Sequence, residues 1–296
     1  MCSPFRLDVS DSYYRWRDAK LQDYPATVEA LIVELCTPGY ATPAEQVAIE
    51  HLCRKTNMAI YAASPFSSRE TLKSFARLFG LKSLDTNPLA DEDSISSISA
   101  TTNLQGQNSA LQSYIPYTDR PISWHTDGYY NPSHRLVRGM ILHCVTPAIV
   151  GGINAVLDPE ILYIRLRDEA PETVAILSRP DSMIIPANTD DTRPDRTGPV
   201  FSYDSQGRHL HMRYTHRTRS IIWHEEAVAA AAHLRAILDA EDVPYVFRHR
   251  LESGQGLICN NVLHTRASFR DEPHSQRLFY RARFLERVAD TSWLSP

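Results

Sequence analysis

The sequence predicts a mainly β fold, a sandwich or barrel with flanking helices, and three observations carry that expectation. Short runs rich in β-branched and aromatic residues recur from about Ser94 onward, Gly, Pro, Asn and Asp punctuate them, and helical periodicity is concentrated in the first third. With 296 residues and 43% hydrophobic content, the chain can build one large core. No internal repeat or long linker divides it, so a single domain is expected: a helical N-terminal part over about 20–90 and a β core over about 94–290.

In chain order, "TPAEQVAIEHLCRK" gives the first helix signal. Thr42 stands at an N-cap, Pro43 at the first helical position and Glu45 three residues after the cap. "SSRETLKSFARLFG" repeats the arrangement, with Ser67 and Glu70 as a capping box, Leu72, Phe75, Leu78 and Phe79 as an apolar stripe, and Gly80 as the stop. The β-like runs "GMILHCVT", "SMIIPA", "RHLHMRY", "GQGLICNN" and "RLFYRARFLE" follow. One helical insertion is expected among them over about 224–242, because "HEEAVAAAAHLRAILDAED" is rich in alanine and acidic near its start. Residues 186–209 are polar and broken by Pro and Gly, which predicts a long irregular loop, either a lid or a surface excursion.

Composition excludes several classes. Five cysteines lie far apart without a CxxC, so neither a disulfide framework nor a structural zinc site is expected, and a reducing compartment fits. A net charge of -4 with interspersed signs argues against nucleic acid as a partner. The N-terminus lacks an apolar run after a basic start and no stretch approaches bilayer length, so the expectation is a soluble, cytoplasmic protein with no membrane partner.

The stretch "SWHTDGYYNP" places His125 and Asp127 two residues apart. In an extended segment both would point the same way and could reach one ion, with His264 of "CNNVLHTR" as the third ligand. Two His and one carboxylate leave half an octahedral shell open, as oxygen-activating ferrous iron requires. The plainer alternative is a pair of surface polar groups beside a turn. His209, His211, His216 and His224 cluster as closely, but arginines among them disfavour a cation; that segment reads better as a strand lining a cavity, with Arg213 or Arg217 available to an anion. Along "QRLFYRARFLE", strand alternation puts Arg277, Phe279, Arg281 and Arg283 on one face, which is either solvated or turned to a polar cavity that binds a dicarboxylate.

Taken together, "WHTDG", Gly151-Gly152, "LHTR", Arg277 thirteen residues after His264 and Arg281 four further on resemble the TauD/TfdA family of Fe(II)- and 2-oxoglutarate-dependent oxygenases. The resemblance covers about residues 60–290. It implies a distorted double-stranded β-helix, or jelly roll, of the clavaminate synthase-like kind. It also implies Fe(II) held by His125, Asp127 and His264, with 2-oxoglutarate and molecular oxygen as co-substrates. By the same resemblance Arg277 pairs with the distal carboxylate of 2-oxoglutarate. Asn154 stands where relatives have a Thr, and Arg281 contacts the substrate or steadies the co-substrate. Relatives often show Asp-Asn and Arg before the distal His, where this chain has Cys259, Asn260 and Asn261.

The implied reaction oxidises an unactivated C–H bond, by default to the alcohol, and releases succinate and carbon dioxide. Tyr129 and Tyr130 are candidates to pack on the substrate, and Arg213, Arg217 and Arg281 favour an anionic group on it. A small amino acid or natural-product intermediate is the preferred substrate, and the oligomeric state is open. Two alternatives stand beside this reading: a metal-dependent hydrolase or isomerase on the same triad, which leaves Arg277 without a partner, and a non-catalytic jelly-roll ligand-binding protein.

Overall fold

The computed structural model describes residues 3–86, 91–100, 114–188, 193–272 and 274–292. Its main sheet has six strands in the order Ile32–Glu34, Met58–Ala62, Gln255–Cys259, Gly139–Thr146, Leu278–Phe284 and Ser96–Ile98, antiparallel except for the first pair. A second, antiparallel sheet runs Phe247–His249, Asn154–Leu157, Leu263–Arg266 and Ile122–His125.

Strand alternation explains how the sheets and helices layer. In the main sheet Met58, Ile60, Met140, Leu142, Leu257, Cys259 and Phe279 share a core with Val156, Leu157 and Leu263 of the second sheet. The intervening residues Ala59, Tyr61, Ile141, Ile258, Ala282 and Phe284 turn the other way and pack on Ile49 and Cys53 of the Pro43–Thr56 helix and Leu72 and Phe75 of the Arg69–Leu78 helix. The Leu278–Phe284 strand is therefore apolar towards the helices, while Arg277, Arg281 and Arg283 point between the sheets and are buried.

The Thr42–Glu45 capping box forms as expected. The second box does not: Ser68, one residue later, caps its helix by accepting from the Thr71 N–H. The expected insertion begins with a 3-10 turn at Glu225–Ala227, and its α-helix covers Val228–Asp239. It is not the single helix among the strands. Pro159–Glu169 and Pro171–Leu177 are also helical, and the first is capped by Asp158 ahead of a proline at N1, a signal that the apolar run "EILYI" masked. The 186–209 stretch carries short strands at Arg196–Gly198 and Phe201–Tyr203, so it is not one irregular loop; part of it, 189–192, lies outside the described residues. Among the described residues no helix is long and apolar enough to cross a membrane.

Candidate metal centre and cavity

His125 ends one strand of the second sheet and His264 lies in its neighbour. Antiparallel register sets them opposite one another, with imidazole centroids 4.1 Å apart. Asp127 arrives by a route the sequence did not predict. The strand stops at His125, so alternation along it does not bring the carboxylate in; a turn does, with Gly128 at φ +66°. A Cβ on Gly128 would stand 2.5 Å from Val137 Cγ2, so the turn needs glycine for room as well as for φ. One nitrogen or oxygen from each of His125, Asp127 and His264 falls within 4.8 Å of the others, and this is the one such group among the described residues.

Hydrogen bonds decide which atoms face that gap. His125 Nδ1 lies 3.0 Å from the Ser123 carbonyl and His264 Nδ1 lies 2.9 Å from the Val262 carbonyl. A carbonyl only accepts, so each Nδ1 carries the proton and each Nε2 keeps its lone pair for a cation. Burial, reinforced by His264, pushes His125 down to about 3, and burial also lowers His264. Burial alone would raise the Asp127 carboxyl, but Arg281 and Arg283 outweigh it and hold the group well below the usual carboxylate range. Two neutral imidazoles and a carboxylate form the protonation state that a divalent cation requires.

Arg281 Nη1 donates to Asp127 Oδ1 at 3.1 Å, while Asp127 Oδ2 is buried with no hydrogen-bond partner among the described residues. The backbone of Asp127 is held by Asn261, one of the residues standing where relatives often show others. Asn261 Oδ1 accepts from the Asp127 N–H at 2.8 Å, and its Nδ2 donates to the carbonyls of Asp127 at 2.9 Å and Val137 at 2.7 Å. It does so at φ +52°, a conformation in which Asn is enriched. Asn261→Ala strips these buried groups of their partners. It is expected to cost about 2–4 kcal/mol of stability and to weaken metal binding about 10- to 100-fold. Thermal unfolding and calorimetric titration with Co(II) check the two effects.

A pocket between the sheets adjoins the triad, lined by His125, His264, Asn154, Leu142, Arg277 and Arg281. Arg277 is 2% exposed, and its guanidinium carbon lies 3.8 Å from the Phe279 ring centroid and 5.0 Å from that of Phe269. Its Nη1 is buried without a hydrogen-bond partner among the described residues, and burial pushes the group down to about 10. A buried, unsatisfied guanidinium is costly unless an anion completes it. Asn154 lines this pocket with one Nδ2 hydrogen donated to the Thr265 carbonyl at 3.0 Å, and its Oδ1 is buried without a partner among the described residues.

A larger cavity of about 430 Å³ includes His125, Asp127 and Arg281 and extends along Tyr129, Tyr130 and Arg217, within the size range of small-ligand sites. Arg193, Arg219 and Ser220 also line it, residues that the sequence reading did not single out. Arg213 does not; it sits behind the wall and donates to the carbonyls of Tyr129 and Arg196. Nor do His209 and His211, whose Leu210–Met212 strand pairs with Phe201–Tyr203 instead. The segment after that strand, from Thr215 to Ser220, is the one that reaches the cavity.

The family described as "Taurine catabolism dioxygenase TauD, TfdA family" matches residues 22–283. A uridine-5'-phosphate dioxygenase of an Amycolatopsis species is 29% identical over 170 residues, and one of a Streptomyces species is 31% identical over 174. These matches cover 55% and 56% of this chain and 60% and 62% of the relatives, so the chain spans less than two thirds of their length. Among solved structures, an asparagine oxygenase in complex with Fe(II), 2S,3S-3-hydroxyasparagine and succinate superposes with a TM-score of 0.56 at 15% identity, covering 94% of this chain and 85% of that one. PvcB from Pseudomonas aeruginosa gives 0.56 at 15% identity, covering 86% and 84%. At this identity the likeness is one of fold, and the fold is related to the double-stranded β-helix.

Proposed function

Because this chain belongs to the TauD, TfdA family of dioxygenases, we propose that it is an Fe(II)- and 2-oxoglutarate-dependent oxygenase oxidising a C–H bond of a small phosphate-bearing metabolite. One observation carries the reading. The cation-binding atoms of His125, Asp127 and His264 share one interior with several buried atoms that lack a partner among the described residues, and two of them, Asp127 Oδ2 and Arg277 Nη1, carry the argument. The first orphan suits a metal and the second a carboxylate. A hydrolase on the same triad would use the first and leave the second unexplained.

Fe(II) on the triad, with 2-oxoglutarate and oxygen, would supply oxidative decarboxylation to succinate and carbon dioxide coupled to C–H oxidation. Arg277 would take the far carboxylate, with Phe269 and Phe279 flanking the ion pair and keeping water from it. Arg281 keeps Asp127 anionic, and Asn261 fixes the turn that aims it. Tyr129 and Tyr130 form part of the substrate wall. The relatives named for uridine-5'-phosphate move the substrate preference from an amino acid to a phosphate-bearing compound.

Anaerobic addition of Fe(II) and then 2-oxoglutarate is expected to produce the visible charge-transfer band of the chelate. A protein that binds the metal yet gives no band with 2-oxoglutarate would overturn the reading.

A further inference from the structure

We infer that Arg217, Arg219 and Ser220 form the subsite for the phosphate of a phosphomonoester substrate. The inference rests on the oxygenase reading above, and it places the substrate anion away from Arg281.

The geometry begins at the metal ligands. Thr126 donates its N–H to the Tyr214 carbonyl at 3.0 Å, His216 donates to the Trp124 carbonyl at 2.8 Å, and Thr215 pairs with His125 across an isolated bridge. The segment is thus docked along the strand that ends at His125. Thr215 and Arg217, two residues apart, both line the cavity, as extended alternation dictates. Two residues of extended chain advance about 7 Å, which leaves the Arg217 side chain within reach of a small molecule seated at the triad. The chain then turns through Thr218–Ser220, with the Ser220 N–H donating to the Arg217 carbonyl at 2.9 Å, and Arg219 and Ser220 join the same wall. Tyr129, in the segment following Asp127, lines the same cavity as Thr215 and Ser220.

Charge selects the ligand. Arg217 and Arg219 are exposed to the cavity and, among the described residues, neither has an acidic partner. Among the described residues Asp127 is the one acidic side chain on the cavity wall, and Arg281 already engages it. In a chain with a net charge of -4, the described residues of this wall are therefore locally cationic. A carboxylate or sulfonate brings a single negative charge. A phosphomonoester, with a second pKa of about 6, brings nearly two charges at neutral pH and three terminal oxygens. That set can accept from two guanidinium forks and a hydroxyl together. Arg281 is the poorer candidate, because turning it to a substrate would strip Asp127 of its hydrogen-bonded cation.

The test is calorimetric titration of the anaerobic protein loaded with Fe(II) and 2-oxoglutarate, using uridine 5'-monophosphate, ribose 5-phosphate, uridine and inorganic phosphate. At least one of the two phosphomonoesters is expected to bind about 100-fold more tightly than uridine. Arg217→Ala and Arg219→Ala are each expected to weaken that binding about 10- to 100-fold, with the charge-transfer band and 2-oxoglutarate affinity unchanged. Arg217→Lys should restore only part of the loss, since an ammonium lacks the fork. The two esters distinguish a nucleotide from a sugar phosphate. Equal affinity for uridine and its phosphate, binding of inorganic phosphate alone, or unchanged binding in both alanine variants would overturn the subsite. Failure of the charge-transfer band marks failure of the oxygenase reading instead, and titration of the metal-free protein with the same esters then judges the arginine subsite by itself.

Discussion

Replacing Asp127 by alanine is expected to lower succinate formation about a thousandfold or more, equivalent to ~4 kcal/mol of transition-state stabilisation. The carboxylate is the one anionic donor in a set of three, and among the described residues no other acidic side chain lines the cavity to take its place. The variant also leaves Arg281 without its partner, at a stability cost of about 1–3 kcal/mol. His264→Ala is the cleaner companion, because among the described residues its side chain hydrogen-bonds only to the carbonyl of Val262, just ahead of its own strand. Both variants should show native-like circular dichroism and lose Fe(II) binding by calorimetry. Turnover at the parent rate in either would sink the metal assignment.

Arg277→Ala has the second largest expected effect, and it falls on a different quantity. Truncating one partner of a buried, hydrogen-bonded charge pair costs about 2–5 kcal/mol, so the Kd for 2-oxoglutarate should rise about 30-fold or more. Metal affinity should hold, because Arg277 does not hydrogen-bond any of the three ligands. Removing a cation whose Nη1 has no partner among the described residues also relieves a burden on the unliganded fold. The parent should therefore gain thermal stability from saturating 2-oxoglutarate while the variant gains almost none. Equal thermal shifts in the two proteins would remove Arg277 from the co-substrate site.

The facial triad and the arginine face were legible because residue type and spacing carried them. His125, Asp127 and His264 are few-atom donors in a recognisable order, and the period of two along "RLFYRARF" separates Arg277 and Arg281 from Ala282 and Phe284 without a structure. The route by which Asp127 reaches the metal gap was not legible, since it depends on a turn fitted against Val137. Asn261 was passed over for a related reason: its hydrogen bonds span 134 and 124 positions of sequence. Arg213 and Arg217 looked equivalent as neighbours on one run. Only the packing of that run on Trp124 and Thr126 separates an arginine that braces a wall from one that faces a cavity. The helix at Pro159–Glu169 was hidden because a helix buried on most sides loses its period, and Pro171–Leu177, at seven residues, is too short to display one.

The sandwich distributes its chemistry over separate supports. Both histidine ligands stand on the four-stranded sheet, Arg277 immediately precedes the Leu278–Phe284 strand of the six-stranded sheet, and Arg217 and Arg219 belong to the Thr218–Ser220 turn and its N-cap, outside both sheets. Divergence can therefore act on the three parts at different rates. On the subsite proposed above, exchange of residues in the 217–220 turn would change what the cavity accepts without disturbing a ladder hydrogen bond in either sheet, whereas a change at the sheet positions would endanger folding and reactivity together. A lineage built on this scaffold can acquire new substrates by editing about four residues while inheriting its oxidant unchanged.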